Sequence, residues 1–277
     1  MALMWGFSFF VMKDVLDTVP TYQLLSCRFL PAALIMFILF HERIVRHLNA
    51  RTLLVGIVLG VLMGGGYIFQ TFGLADTTAG KNAFLTGTYC IIVPFISFFM
   101  SREKFTRFNV GAAILCLAGI GFVALDNFSV GLGDVLTLIG AAFFAMQIST
   151  VSSYGRDLDV NVITFWEFLT VGLISLFGSI LTERSSIHLD WTPQLFFTMA
   201  FLSVFCTCVA LLVQNAGLAH VPSSTGSLLL SLESPFGVFF SVVMTGEVLT
   251  GRLLTGFALI FISIVLSETH FSFLRRR

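Results

Sequence analysis

Gln-Thr-Phe-Gly-Leu-Ala at residues 70–75 returns 144 positions later as Gln-Asn-Ala-Gly-Leu-Ala at residues 214–219. Chance identities are common in a chain rich in leucine and phenylalanine. The evidence for a repeat therefore rests mainly on this block and on the pair Glu103 and Glu247. An internal repeat in an apolar chain is typical of duplicated membrane bundles. The same offset pairs Leu85 with Leu229, Phe95 with Phe239, Ser97 with Ser241, Met100 with Met244, Glu103 with Glu247 and Thr106 with Thr250.

The composition places the chain in a membrane. Hydrophobic residues make up 57% and charged residues 11% of its 277 residues, and the mean hydropathy is +0.96. A soluble domain carries about 25% charged residues, so this chain lacks the polar groups to cover a water-facing surface. Its net charge of zero offers no basic surface, so we expect no nucleic-acid partner. The sequence therefore predicts an integral membrane protein surrounded by the lipid bilayer.

Polar breaks divide the chain into ten segments of bilayer-crossing length, about 20 apolar residues each. The linkers are short, which makes neighbouring helices antiparallel and leaves no room for a separate soluble domain. The first segment lacks a charged leader and a small-residue cleavage site, so no cleavable signal peptide is expected. We predict spans near residues 2–17, 20–40, 53–73, 78–100, 107–125, 132–153, 160–182, 193–218, 222–244 and 251–270.

Lysine and arginine in the connections predict the orientation of the chain. With the N-terminus inside, ten of them fall on the cytoplasmic side and three outside. Cytoplasmic connections of membrane proteins carry an excess of these residues, so both termini are predicted to be cytoplasmic. The cytoplasmic set is Arg43, Arg46, Arg51, Arg102, Lys104, Arg107, Arg156 and Arg275–Arg277, and the outer set is Lys81, Arg184 and Arg252.

The repeat divides the chain into two groups of five spans. We predict a first five-helix repeat over residues 1–128 and a second over residues 129–277. Because five is odd, the second copy enters the bilayer from the opposite face, and a two-fold pseudo-axis lies in the membrane plane. The predicted fold is an all-α integral membrane protein with ten transmembrane helices in two inverted five-helix repeats.

Several stretches of the sequence resemble one transporter family. They are Trp5-Gly6 with Lys13 and Arg28-Phe29, then residues 78–87 with Pro94, then Glu233 with Gly246-Glu247 and Leu249-Thr250. In that order they are similar to helices one and two, four, and nine and ten of EamA-type members of the drug/metabolite transporter superfamily. Ser234 stands where the family often has a proline directly after the helix-nine glutamate. The resemblance implies export or exchange of small metabolites across the cytoplasmic membrane.

Polar side chains inside the predicted spans are the candidates for a substrate pathway. An ionisable group at bilayer depth costs about 2.5–3.5 kcal/mol, so it usually faces protein or a water-filled cavity. An alternative for Glu233 is a bond to backbone groups freed at the Pro235 break. For the glutamines it is a contact between helices, worth about 0.6 kcal/mol. The predicted cavity residues are Gln70, Tyr89, Gln147, Gln214 and Glu233.

Arg28 and Glu167 are the candidates for gating or coupling. They correspond between the repeats through Phe29-Leu30 and Phe168-Leu169. The inversion places them toward opposite leaflets, so no direct salt bridge is expected. Glu167 is interpreted as a substrate ligand, a proton carrier or a structural partner of another polar group. Arg28 is interpreted as snorkelling to the interface or bracing a gate.

Motifs of enzymes and metal sites are missing from the sequence. Cys206 and Cys208 are two residues apart and so lie on different faces of a helix, which argues against a metal pair. His41-Glu42 is followed by His47, whereas a zinc-protease helix needs its histidines four residues apart. We therefore predict no catalytic residue, no metal and no cofactor.

Together these features predict a secondary transporter in the cytoplasmic (inner) membrane of a prokaryote. Its partner would be a small-molecule substrate, such as an amino acid, a nucleoside or a drug-like amphipathic solute, moved by alternating access. Without an ATP-binding motif, the energy must come from a gradient of solute or ion. A membrane receptor or scaffold and an intramembrane enzyme are the alternatives. Whether the chain forms a homo-oligomer stays open.

Overall fold

The computed structural model describes residues 1–101, 107–126, 129–183, 191–246 and 248–269. Three residues of the repeat evidence, Glu103, Thr106 and Glu247, lie outside these ranges. So do several residues used to predict orientation, namely Arg102, Lys104, Arg184 and Arg275–Arg277.

Helices account for nearly all of the described chain, which confirms the helical class. The first half contains α1 (Ala2–Val15), α2 (Thr21–Arg46), α3 (Ala50–Ala75), α4 (Ala79–Gly87), α5 (Tyr89–Ser101) and α6 (Arg107–Ala124). The second contains α7 (Leu132–Tyr154), α8 (Val160–Thr182), α9 (Pro193–Phe201), α10 (Ala210–Leu218), α11 (Ser223–Ser231), α12 (Glu233–Phe240) and α13 (Gly251–Thr269). Two π-helical segments, π1 (Leu202–Val209) and π2 (Ser241–Thr245), continue α9 into α10 and extend α12.

A short hairpin between the halves departs from the all-helical prediction. Strands β1 (Leu125–Asp126) and β2 (Ser129–Val130) pair antiparallel and connect α6 to α7. The linker is too short and polar for another helix, so its backbone groups satisfy one another across the turn.

Seven helical stretches in the described part of the chain are long and apolar enough to cross a membrane. A bilayer crossing takes about 20 apolar residues, so the chain is a multi-pass membrane protein. That ten segments cross stays a prediction, because three of the predicted spans are short. The α1 helix has 14 residues, and the apolar parts of α6 and α13, Val110–Gly119 and Gly251–Leu266, have 10–17 residues. The seven stretches are Thr21–Arg46, Ala50–Ala75, Ala79–Met100, Leu132–Tyr154, Val160–Thr182, Pro193–Leu218 and Ser223–Met244.

The helices of the two halves pack against each other and not as separate bundles. The α2 helix packs on α8, α3 on both α7 and α8, α6 on α13, and α12 on α1 and α4. Gly56 and Gly60 allow the close approach of α3 to α8. A Cβ at Gly56 would lie 2.5 Å from that of Trp166, and one at Gly60 would meet the Cβ of Thr170. Small residues at such positions bring helix backbones together in membranes.

Polar contacts collect at two opposite ends of the helices. We name the first the Lys81 end, where Lys81 Nζ lies 2.8 Å from Asp134 Oδ2 and joins the start of α4 to the start of α7. Lys13, at the end of α1, donates to the carbonyl oxygens of Leu74 and Ala75 at the end of α3, both at 2.9 Å. At the same end, Glu183 accepts the first amides of α2 from Tyr22 and Gln23, at 3.0 and 2.9 Å.

The second, the Arg51 end, holds more exposed contacts. Arg51 Nη2 at the start of α3 lies 3.3 Å from Asp157 Oδ2, between α7 and α8, and both side chains are about 60% exposed. Arg156, just after α7, donates to the carbonyl oxygen of Ala219 after α10 at 3.1 Å. Starts and ends of successive helices thus alternate between the two ends, as short linkers require.

Candidate functional site

One cavity is lined by all five residues that were predicted to face a cavity: Gln70, Tyr89, Gln147, Gln214 and Glu233. They come from five helices, α3, α5, α7, α10 and α12. The structure therefore brings these five side chains together. That they bind a substrate stays a prediction.

Apolar and aromatic residues complete the wall of this cavity, and the sequence analysis missed them. Each predicted residue has a second lining residue three positions earlier on its own helical stretch, which is the spacing that places two side chains on one face. That spacing is the signal that would have found five of the eight missed residues. The pairs are Tyr67 with Gln70, Thr86 with Tyr89, Phe144 with Gln147, Leu211 with Gln214, and Leu230 with Glu233; Trp5, Met63 and Ile148 also line the cavity.

Two helix breaks deliver Tyr89 and Glu233 to the cavity. Tyr89 is the first residue of α5 and follows Thr88, where φ is −64° and ψ −14°. Glu233 is the first residue of α12 and follows Leu232, where φ is −60° and ψ −14°. Each second helix contains a proline, which cannot donate a backbone hydrogen bond. Both interruptions leave the backbone near helical geometry and lie at the depth of the cavity, within the spans Ala79–Met100 and Ser223–Met244.

Glu233, at the start of α12, and Tyr89, at the start of α5, are hydrogen-bonded to each other through their side chains. The carboxyl group of Glu233 thus has the Tyr89 hydroxyl as a partner. The alternative that it bonds to backbone groups freed at Pro235 stays a prediction. Ser234 supplies the local backbone contact, since its Oγ donates to the carbonyl oxygen of Ala83 on α4 at 2.9 Å. A serine between Glu233 and proline thus ties α12 to α4.

Glu167 lies behind the cavity wall and is fully buried. Its Oε1 accepts a hydrogen bond from Gln147 Nε2 at 2.8 Å, and its Oε2 accepts one from Asn215 Nδ2. Asn215 also donates to Thr164 Oγ1 at 3.0 Å. Charge-assisted bonds to a carboxylate are the stronger kind, so Glu167 holds α7 and α10 to α8. It reaches the cavity only through Gln147.

Arg28 is also buried, with 1% of its surface exposed. It donates from Nε to Thr207 Oγ1 and from Nη2 to Tyr67 Oη and the Cys206 carbonyl oxygen, both at 3.3 Å. Its guanidinium carbon lies 4.6 Å from the centre of the Tyr67 ring. Tyr67 therefore separates Arg28 from the cavity, and the interaction of the cation with the ring adds to the hydrogen bonds.

The interpretation of Arg28 as a snorkelling residue is wrong. Snorkelling carries the charged head to the membrane surface, whereas these contacts hold it among α1, α3 and π1. The π1 segment makes this possible, because Cys206 offers its carbonyl oxygen both to Arg28 and to Trp5 Nε1, the latter at 2.8 Å. Among the described residues, no ion pair joins Arg28 to Glu167.

The described side chains offer no group of three histidine, cysteine or acidic residues that could hold a metal ion. Two carboxyl groups, those of Glu167 and Glu233, lie at or behind the cavity in separate hydrogen-bond networks.

A family model for the EamA-like transporter family matches residues 1–125 and 131–269. The chain belongs to this family and is a multi-pass membrane transporter. The matched ranges include every residue of the cavity wall described above.

Similar proteins are also named as transporters. An uncharacterized transporter of Archaeoglobus fulgidus is 30% identical over 267 residues, which cover 96% of this chain and 82% of the relative. The uncharacterized transporter YoaV of Bacillus subtilis is 24% identical over 253 residues, covering 88% and 86%. A solved crystal structure aligns with a TM-score of 0.66 at 16% identity over 100% of this chain and 99% of its own, a likeness of fold alone.

Proposed function

We propose that this EamA-like protein is a secondary transporter that moves a small metabolite across the cytoplasmic membrane by alternating access. The observation that carries the proposal is the cavity wall itself. Four of its pairs are related by the 144-residue offset: Gln70 with Gln214, Tyr67 with Leu211, Thr86 with Leu230, and Tyr89 with Glu233. A binding site between two related halves is the arrangement that rocking of the halves can open to either side.

The proposed architecture is ten spans in two inverted five-helix repeats, residues 1–128 and 129–277. The helix contacts support it, because a two-fold axis would map α2 onto α8 and α6 onto α13, and these pairs pack together. The same axis would relate the contact of α1 with α12 to that of α7 with the α4–α5 pair, and both contacts exist.

The cavity is small in this structure. About 40 Å³ of it is open to the centres of water molecules, which is room for about three waters. Pockets that bind metabolites and drugs have volumes of about 300 Å³ or more. The structure is therefore interpreted as an occluded form, and a state open to one side must widen the cavity for an amino acid, a nucleoside or an amphipathic solute.

Arg28 and Glu167 are proposed to gate or couple the rocking motion. Each is anchored to the third helical stretch of the second half, Arg28 to π1 and Glu167 to Asn215 on α10. Each also contacts one residue of the cavity wall, Tyr67 and Gln147 respectively. A change in either network therefore moves a wall residue and a helix of the second half together.

Both termini are proposed to face the cytoplasm, with the Lys81 end of the helices outside and the Arg51 end inside. The bias of lysine and arginine in the connections supports this orientation. Whether the protein works as one copy or as a homo-oligomer is left open, since the proposed pathway lies within one chain.

Flux through purified protein in liposomes tests the proposal. Vesicles with and without protein are loaded with a metabolite panel, and release is followed after a solute or proton gradient is imposed. A transporter moves at least one solute faster than protein-free vesicles do. A receptor, a scaffold or an intramembrane enzyme leaves every solute where it was or converts it in place, and either result would refute transport.

A further inference from the structure

The amide of Gln147 is fixed with its oxygen toward the cavity side. Its Nε2 donates to Glu167 Oε1 at 2.8 Å and to Asn215 Oδ1 at 3.3 Å, which uses both N–H groups. Both oxygens of Glu167 accept here, from Gln147 and from Asn215, so Glu167 keeps the NH₂ group of Gln147 turned toward it. The Oε1 of Gln147 accepts one bond from Gln214 Nε2 at 3.3 Å and keeps a second lone pair.

Other N–H groups of the wall are also directed at the protein. Gln70 Nε2 donates to Thr86 Oγ1 at 3.1 Å, and Trp5 Nε1 donates to the Cys206 carbonyl oxygen at 2.8 Å. Within the described residues, no group donates to the side-chain oxygens of Gln70 and Gln214. The wall therefore presents three amide oxygens with free lone pairs and only one unused N–H each on Gln70 and Gln214.

In the described part of the chain, the cavity wall contains an acidic side chain but no basic one. Glu233 lines the cavity, whereas no lysine, arginine or histidine does so among the described residues. Arg28 is a cation that contacts a residue of the cavity wall, but that residue, Tyr67, lies between Arg28 and the cavity and accepts one of its hydrogen bonds. A bound carboxylate would find one unused N–H on each of Gln70 and Gln214 and the hydroxyl groups of Tyr67 and Thr86, but it would also meet the carboxyl group of Glu233. Like charges in one cavity repel when that group is ionised.

Aromatic rings add a second preference for positive charge. Trp5, Tyr67, Tyr89 and Phe144 all line the cavity. The faces of aromatic rings attract cations, most strongly when water is excluded. Since the cavity has a volume equal to about three waters, it has room for the head group of a solute in the described state, and selection acts on that head group.

We propose that the cavity selects small organic cations with N–H donors, such as a primary ammonium or guanidinium group, over carboxylates of the same skeleton. An ammonium group has three donors to offer, which match the three free amide oxygens, and its charge matches Glu233. The inference names the substrate class of the proposed transporter and rests on that function for its physiological meaning. Binding itself can be measured without transport.

Three probes with one aromatic skeleton separate charge from size: 2-phenylethylamine, 2-phenylethanol and 3-phenylpropionate. Affinity is measured by calorimetry on the purified protein in detergent, with thermal stabilisation as a second readout. The amine should bind tightest and the carboxylate weakest. Losing a hydrogen bond to a charged group costs enough that Glu233→Gln should weaken amine binding about tenfold to a hundredfold. Binding of the neutral alcohol should stay within about twofold, because its contacts carry no charge.

Asp157→Asn is the matched control, since it removes a carboxylate from the exposed Arg51 end and should leave all three affinities unchanged. If Glu233→Gln does not fold, Gln70→Met removes one amide oxygen at nearly constant size and should also weaken amine binding. Equal or tighter binding of the carboxylate, amine binding that survives these substitutions, or binding of no amine would each overturn the inference.

Failure of this inference can be distinguished from failure of the proposed function. A protein that transports another solute but binds no amine remains a transporter of a different substrate class. A protein that binds amines through Glu233 but moves no solute keeps the predicted selectivity and loses the transport function.

Discussion

Phe29 on α2 and Phe168 on α8 meet edge to face, with ring centroids 5.9 Å apart and both side chains fully buried. Each ring directly follows a buried ionisable residue, Arg28 or Glu167. Edge-to-face pairs of this kind stabilise a contact by about 0.5–1.5 kcal/mol beyond burial. The contact therefore fixes the point from which Arg28 reaches π1 and Glu167 reaches α10.

We predict that Glu167→Gln lowers flux without preventing membrane insertion. Glutamine nearly keeps the shape of glutamate but can donate a hydrogen bond, so it no longer fixes the orientation of the Gln147 amide. Each charge-assisted hydrogen bond that is lost costs about 1.5–3 kcal/mol of stability. Flux in proteoliposomes and the yield of folded protein are the measurements. Wild-type flux at every pH tested would show that Glu167 is structural.

Arg28→Lys should destabilise the protein although it keeps the charge. A lysine ammonium cannot reproduce the planar fork that reaches Thr207, Tyr67 and Cys206 together, and each unmade buried bond costs about 1–3 kcal/mol. Thermal unfolding in detergent measures the loss, and flux reports any effect on gating. A lysine variant equal to wild type in both would mean that charge alone suffices at this position.

The two glycines of the repeated Gln-x-x-Gly-Leu-Ala block should respond differently to alanine. A Cβ at Gly73 would lie 2.6 Å from the Gly133 carbonyl oxygen on α7, whereas one at Gly217 would meet nothing within 4 Å. Crowding in a packed contact costs about 1–3 kcal/mol, so Gly73→Ala should lower the unfolding temperature. Gly217→Ala serves as its matched control and should unfold at or above the wild-type temperature, since alanine favours a helix. Equal effects would contradict the packing described between α3 and α7.

Asp134→Asn should destabilise the Lys81 end. The Asp134 side chain is 1% exposed and that of Lys81 18%, so the substitution leaves a partly buried ammonium without its carboxylate partner. Breaking a buried pair is costly, whereas exposed pairs contribute about 0–1 kcal/mol. Asp157→Asn at the exposed pair with Arg51 should therefore have little effect on thermal unfolding. Similar losses in both variants would argue that burial does not set the strength of these pairs.

Epitope tags test the orientation. A tag at residue 48 should be shielded in intact cells and one near residue 186 accessible, because the lysine and arginine bias places the connection after α2 inside. Antibody labelling before and after permeabilisation is the measurement. Labelling of both tags on the same side would contradict the predicted number of spans.

The sequence located the polar half of the cavity because polar residues at bilayer depth are costly and therefore visible. Gln70, Gln147 and Glu233 stand out in apolar runs, and all line one cavity. Trp5 and Phe144 gave no such signal, because an aromatic side chain in a span has no insertion penalty, whether it faces lipid or a cavity. Only the helical spacing from Gln147 points to Phe144.

The hydrogen-bond partners of Arg28 could not be predicted from the sequence, for a different reason. Its acceptors include the Cys206 carbonyl oxygen, which π1 makes available, and nothing in Leu202–Val209 marks a π-helix in advance. Short π-helical turns within α-helices are rare and frequently occur at functional sites. A backbone acceptor of this kind depends on hydrogen bonding of the folded helix and not on residue type.

The connection between α8 and α9 also decides how the two halves can be aligned residue by residue. Arg28 and Glu167 correspond at an offset of 139, as do Trp5 and Phe144 on the cavity wall, whereas Gln70 and Gln214 correspond at 144. The α3 helix and the stretch from α9 to α10 have 26 residues each and begin at Ala50 and Pro193, so most of this five-position gap falls before π1. Mutations designed in matched pairs must change numbering between α8 and α9, or the second member will land on the wrong helix face.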